Sequence, residues 1–98
     1  MIDNIFEEIR AERRRQDEKW GEQNHPMLDK RVPEGLIKEG ADLCRTINES
    51  GEKSWFSVLR GEVYKAFSET EPEKQREEMV QVASVAVAIL ECLDRMGK

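Results

Sequence analysis

Met79-Val80-Gln81-Val82-Ala83-Ser84-Val85-Ala86-Val87-Ala88-Ile89-Leu90 is the stretch that decides the fold. Only Gln81 and Ser84 are polar here, so a helix through these residues is apolar around most of its circumference instead of along one stripe. Such a helix is buried on several sides. It falls short of the roughly 18–20 apolar residues that cross a bilayer, so no membrane span is expected. Upstream, Thr70-Glu71-Pro72-Glu73 reads as a capping box with proline in the first turn, and the helix should run from there to about Met96.

Three more helices precede it. The first spans about Asp3 to Lys19, with Ile2, Ile5, Phe6 and Ile9 on its apolar side and an almost wholly charged second half, Arg10 to Lys19. Gly21, Asn24-His25-Pro26 and Pro33 make Trp20 to Val32 a long loop. A loop of that length in so small a domain is either disordered or functional. The second helix, about Pro33 to Glu49, begins at a proline and stops at Gly51. Its apolar set is Leu36, Ile37, Ala41, Leu43, Cys44 and Ile47. The third has Ser54 as N-cap, reaches about Ser68, and carries the stripe Trp55, Phe56, Leu59, Val63, Ala66 and Phe67.

The expected architecture is therefore all-α, one helical domain over residues 1–98. A chain this short buries only about 60–65% of its unfolded surface. Three partner helices cannot cover the fourth, so the core should be completed by homo-oligomerisation, as a dimer or a tetramer, with the fourth helix near a two-fold axis. The net charge of −5 argues against a nucleic-acid partner, because phosphate neutralisation needs a basic surface. The Arg13-Arg14-Arg15 run is followed by Asp17 and Glu18 and reads as a solvated helix face. Cys44 and Cys92 lack metal or redox spacing, and Asp3, Glu7 and Glu8 follow Met1 too soon for a signal peptide. A reducing cytoplasm with free thiols is the expected setting.

Two carboxylates stand where a core residue would be expected. At about 100° per residue, Glu62 lies beside Trp55 and Ala66 at the edge of the third helix's stripe. Glu78 heads the line Val82, Val85, Ile89, Leu93 and Met96 on the fourth. Buried carboxylates are costly unless paired or metal-bound, and two facing inward from neighbouring helices suit Mg²⁺. The alternative is a ladder in which Lys65 pairs with Glu62 and Glu69 on its own helix.

Further residues carry a resemblance. They are the run from Glu12 through Arg15-Gln16-Asp17-Glu18-Lys19-Trp20-Gly21 to His25-Pro26, then Ser54-Trp55, Val58-Leu59, Glu62-Val63-Tyr64 and Ala66-Phe67, and finally Arg76-Glu77-Glu78-Met79-Val80-Gln81-Val82-Ala83 through Leu93-Asp94-Arg95. Along nearly its whole length the chain resembles the MazG-like all-α nucleoside triphosphate pyrophosphohydrolases, in particular small actinobacterial and phage-type members. The resemblance implies a four-helix bundle that dimerises or assembles further. It also implies Mg²⁺-dependent cleavage between the α and β phosphates of a nucleotide, giving a monophosphate and pyrophosphate.

The family's metal motifs, Glu-Glu-x-x-Glu and Glu-x-x-Asp, fall on Gly61-Glu62-Val63-Tyr64-Lys65 and on Glu78-Met79-Val80-Gln81. Glu62 and Glu78 remain as catalytic carboxylates and metal ligands, with Gln81 able to ligate weakly through its carbonyl. Gly61 and Lys65 depart from the pattern, and Lys65 puts a positive charge where the cation should sit, so Mg²⁺ binding should be weak or lost. Gly61 also weakens its helix by roughly 1 kcal/mol relative to alanine.

On the substrate side, Trp20 can stack on a base or pack on the bundle end. Arg15, Lys19 and Lys65 can meet phosphates, and His25 is a ligand contact or a loop hydrogen-bonder. Three functions stay open at this point: an active pyrophosphohydrolase, a nucleotide-binding relative that has lost hydrolysis, and a helical oligomerisation module.

Overall fold

The computed structural model describes residues 2–97, the side chain of Glu34 excepted. Four helices form among these residues, α1 (Ile2–Trp20), α2 (Glu34–Glu49), α3 (Trp55–Ser68) and α4 (Pro72–Arg95), and no strand does. The chain divides into two compact units, Met27–Ala86 and Met1–Pro26 with Val87–Lys98, so α4 contributes to both.

The helix ends follow local chemistry. Pro33 holds the extended conformation at the start of α2, and Gly51, at φ +87°, takes the left-handed conformation just past its end. Ser54 caps α3: its side chain accepts from the Ser57 amide, and the Ser57 hydroxyl accepts from the Ser54 amide. At α4 the expected cap is displaced. The helix starts at Pro72 with the Glu71 carbonyl accepting from the Gln75 amide, so Glu71 stands where Thr70 was expected. The amides of Thr70 and Glu71 donate to Glu69 Oε1 instead.

In the unit Met27–Ala86, α2 and α3 form an antiparallel hairpin packed through small residues. A Cβ on Gly40 would lie 2.8–2.9 Å from the Tyr64 ring, and one on Gly61 would lie 3.2 Å from Cys44 Cβ. Further along, Ser57 Oγ donates to Asn48 Oδ1 at 2.9 Å. Residues 40, 44 and 48 thus face 64, 61 and 57, rising along α2 as they fall along α3. Four-residue steps keep all three on one face of α2. Cys44 and Ala66 are fully buried here, and buried Ser57 has its hydroxyl hydrogen-bonded. Leu36, Leu43, Trp55, Phe56 and Val80 remain exposed, Phe56 most of all at 68%. Trp55 and Phe56 therefore do not join the stripe expected of them; the Arg60 guanidinium lies 4.8 Å over the Phe56 ring instead.

In the other unit, Ile5 is the buried side chain of α1 and Val87 that of α4. Ile2, Phe6 and Ile9 are exposed, as are Leu90, Leu93 and Met96. Val87 lies roughly opposite the line from Val82 to Met96 at about 100° per residue, so the expected stripe is not the most buried part of α4. The charged half of α1 is laced by Glu7–Arg10, Glu12–Arg15 and Arg13–Asp17 pairs at exposed positions. Pairs of this kind add little stability. Both cysteines are free thiols, and no helix among the described residues is long and apolar enough to cross a membrane.

Candidate functional site

Glu62 and Lys65 lie one turn apart on α3, where side chains three apart share a face. Glu78 approaches from the first part of α4, and Lys65 Nζ lies 3.5 Å from Glu78 Oε2. The side chain of Lys65 is 60% exposed and that of Glu78 only 21%, so a mobile ammonium reaches down to a mostly buried carboxylate. The ladder along α3 does not form as expected: Lys65 goes to Glu78 on another helix, and Glu69 is occupied by the Thr70 and Glu71 amides.

Two oxygens here are buried without a hydrogen-bond partner, Glu62 Oε2 and Glu78 Oε2. The Lys65 contact to the second is Coulombic and lacks hydrogen-bond geometry. A buried polar atom left without a partner costs about 1–3 kcal/mol, more when charged. Glu62 Oε2 belongs to α3 and Glu78 Oε2 to α4, and Lys65, one turn along α3 from Glu62, is the cation that reaches Glu78.

Beside them opens a cleft of about 1050 Å³ lying wholly within the unit Met27–Ala86. Its lining mixes the cations Lys38, Arg45 and Lys65 with the carboxylates of Asp42, Glu49, Glu62 and Glu69, near apolar Leu28, Ala41 and Phe67. Arg45 is partly committed to Asp42, at 3.1 Å. Gly61 also lines the cleft, adding no side chain of its own. A volume in this range holds a small organic molecule, and pockets of that kind combine apolar walls with a few polar groups. Glu78 is not among the lining residues; it meets Lys65, which is. Gln81 is solvent-exposed on α4 and is not among the lining residues.

The remaining predicted site residues belong to the other unit and are satisfied locally. Arg15 donates to Glu12 Oε2 at 2.8 and 2.5 Å. Trp20 ends α1 with its ring 58% exposed and Lys19 Nζ 4.8 Å from the ring centroid, so packing of the indole into a bundle end is not what holds it. His25 Nε2 lies 3.1 Å from Gln23 Oε1, the loop hydrogen bond that was one of its two expected roles.

Carboxylate oxygens are the kind of donor that magnesium takes. Mg²⁺ usually takes one or two protein carboxylates and fills its octahedron with waters and substrate phosphate oxygens. Glu62 and Glu78 supply that number of hard oxygen donors, each with an oxygen lacking a partner. Among the described residues no group of three or more His, Cys, Asp or Glu side chains converges. No family model matches the chain, and no curated protein and no solved structure matches it either.

Proposed function

We propose that this chain is a MazG-like nucleotide pyrophosphohydrolase that binds a nucleoside triphosphate with Mg²⁺ in the α2–α3 cleft and hydrolyses it to monophosphate and pyrophosphate. The observation that supports the reading is a nucleotide-sized cleft lined by Glu62 and Lys65, in which Glu62 keeps a buried oxygen without a partner while Lys65 also reaches Glu78 at 3.5 Å. In such a site Glu62 and Glu78 would hold the ion. When bound, it supplies charge neutralisation for the polyphosphate and acidifies water.

The other groups divide the remaining work. Lys38, Arg45 and Lys65 give the cleft cations for phosphate oxygens. Leu28, Ala41 and Phe67 give it an apolar wall for a base or sugar. The reaction adds water across the α–β anhydride: the water oxygen bonds to the α phosphorus, the bridging P–O bond breaks and pyrophosphate leaves. A second reading, binding without hydrolysis, is favoured by one observation, the Lys65 ammonium standing 3.5 Å from a carboxylate that the ion needs.

The family reading brings with it a four-helix bundle completed by a second copy or more, as a homodimer or homotetramer. The exposed apolar side chains support it. Ile2, Phe6 and Ile9 on α1, Leu90 and Leu93 on α4 and Met96 just past it are more apolar surface than a lone chain this small would leave in water. The decisive assay incubates purified protein with a panel of nucleoside triphosphates, with and without Mg²⁺, and measures monophosphate and pyrophosphate. Mg²⁺-dependent release of both, lost in Glu62→Gln, is the expected result. Nucleotide-dependent thermal stabilisation without release would favour the second reading, and neither effect would leave an oligomerisation module.

A further inference from the structure

We infer that Gln75 reads the base of a nucleotide bound in the cleft, and that it selects bases carrying an exocyclic amine over those carrying a carbonyl at the same place. The inference rests on the nucleotide reading above and names the class of base that the cleft takes.

The orientation of the Gln75 amide is fixed by chemistry. Helix α3 ends at Ser68, so the Ala66 carbonyl is among the last of the helix and lacks an intrahelical donor. The amide four residues on, that of Thr70, donates to Glu69 Oε1. Gln75 Nε2 donates to the Ala66 carbonyl in its place, at 3.2 Å and in a part-buried position. A carbonyl can only accept, so the side chain turns its NH₂ toward Ala66 and its Oε1 away. Oε1 is thereby left as an oriented acceptor that no described residue fills.

Gln75 lines the cleft, and so does Phe67, the residue after Ala66. An apolar wall and an oriented acceptor suit a flat base, one for its face and one for its edge. The neighbouring polar groups are committed elsewhere. The Ser68 hydroxyl donates to the Lys65 carbonyl, and Glu69 Oε1 accepts from two amides. Lys38 and Lys65 end in flexible ammoniums, which suit phosphate oxygens better than a base edge. Adenine and cytosine carry an N–H donor on their pairing edge where hypoxanthine and uracil carry a carbonyl. A carbonyl set against Gln75 Oε1 brings two acceptors together and satisfies neither.

The test compares two ligand pairs that exchange this amine for a carbonyl. Titration calorimetry in the presence of Mg²⁺ measures the α,β-methylene triphosphates of adenosine and inosine, and of cytidine and uridine, binding to the full chain. The amino member of each pair should bind about tenfold more tightly, the size of one hydrogen bond replaced by an unpaired acceptor. Gln75→Met keeps the length of the side chain and removes the acceptor, and both ratios should fall to near one. A merely structural role for Gln75 would weaken all four ligands alike and leave the ratios standing. If Gln75→Met does not fold by circular dichroism, Gln75→Lys keeps a donor for the Ala66 carbonyl and offers no acceptor, and its ratios should fall to one or below. Equal binding within either pair by wild type overturns the inference, as does a preference that survives loss of the Gln75 amide. Failure of the functional reading is a different result: none of the four triphosphates binds, and the inference falls with it.

Discussion

Replacing Gly40 with alanine tests the helix packing on which the cleft is built. An added Cβ would meet Tyr64 Cε1 at 2.8 Å and both Cδ1 and Cζ at 2.9 Å. Carbon atoms in good contact sit about 3.5–4.0 Å apart, so the ring must turn away or the helices must separate by most of an ångström. Overpacking of this kind costs about 1–3 kcal/mol. Separation would also stretch the 2.9 Å hydrogen bond from Ser57 to Asn48, worth about 1 kcal/mol. Against this, alanine gains about 1 kcal/mol over glycine in a helix interior.

The net expectation for Gly40→Ala is destabilisation by about 1–3 kcal/mol, read from urea unfolding followed by far-ultraviolet circular dichroism. In a Tyr64→Ala background, where the ring is gone, the same change should be neutral or stabilising. Gly35→Ala is the internal control. Nothing lies within 4 Å of its Cβ position, so it should stabilise by about 0.4–1 kcal/mol. A Gly40→Ala protein as stable as wild type, with no coupling to Tyr64, would refute the close α2–α3 approach.

Other outcomes follow from the same structure. Ser57→Ala removes both the donor to Asn48 and the acceptor for the Ser54 amide, and should cost about 1–3 kcal/mol in urea midpoint experiments. Phe6→Glu and Leu93→Glu place charges at exposed apolar positions, so sedimentation should show a smaller species with helix content retained. The Asp29 carboxyl should titrate below its ordinary range, because the Arg31 side chain and then the Arg31 amide donate to it. A depressed carboxyl pKa favours the folded form above the unfolded pKa, and that contribution is lost as pH falls through the folded one. Arg31→Ala removes the larger cause but keeps the backbone amide, so the Asp29 titration, followed by carboxyl-carbon NMR, should move part of the way back toward its ordinary place.

Much of the fold was legible because helix ends are local. Pro33, Gly51 and the Ser54 cap are decided within a turn of chain, and the structure has all three where the pattern put them. Thr70 is not the cap; Glu69, one residue upstream, takes the amides of Thr70 and Glu71, and the helix begins one residue later than the pattern put it. The packing between helices was harder to see. Gly61 read as a weak point in a helix, whereas its missing Cβ is what lets α3 approach Cys44. The signal was present on α2, where Gly40, Cys44 and Asn48 recur at four-residue steps, two small residues and an amide on one face.

For the candidate site, Glu62 and Glu78 stood out by their intrusion into apolar stripes, and the structure buries one oxygen of each without a hydrogen-bond partner. The partner of Lys65 did not stand out, since helical spacing points to Glu62 and Glu69 and only tertiary structure supplies Glu78. Gly61 bears on the family pattern that the resemblance implies. A glutamate there must first fit its Cβ against Cys44 and Asn48, at 3.2 and 3.4 Å, so placing a carboxylate at that position perturbs the hairpin.

The central claim is that Glu62 and Glu78 hold the cation of a nucleotide bound in the α2–α3 cleft. It is tested most directly by crystals grown with Mn²⁺ and a triphosphate whose α–β bridge is a non-hydrolysable methylene. The account predicts an anomalous peak ligated by carboxylate oxygens of Glu62 and Glu78, with the triphosphate in the cleft. Mn²⁺ and triphosphate bound away from both glutamates would contradict it.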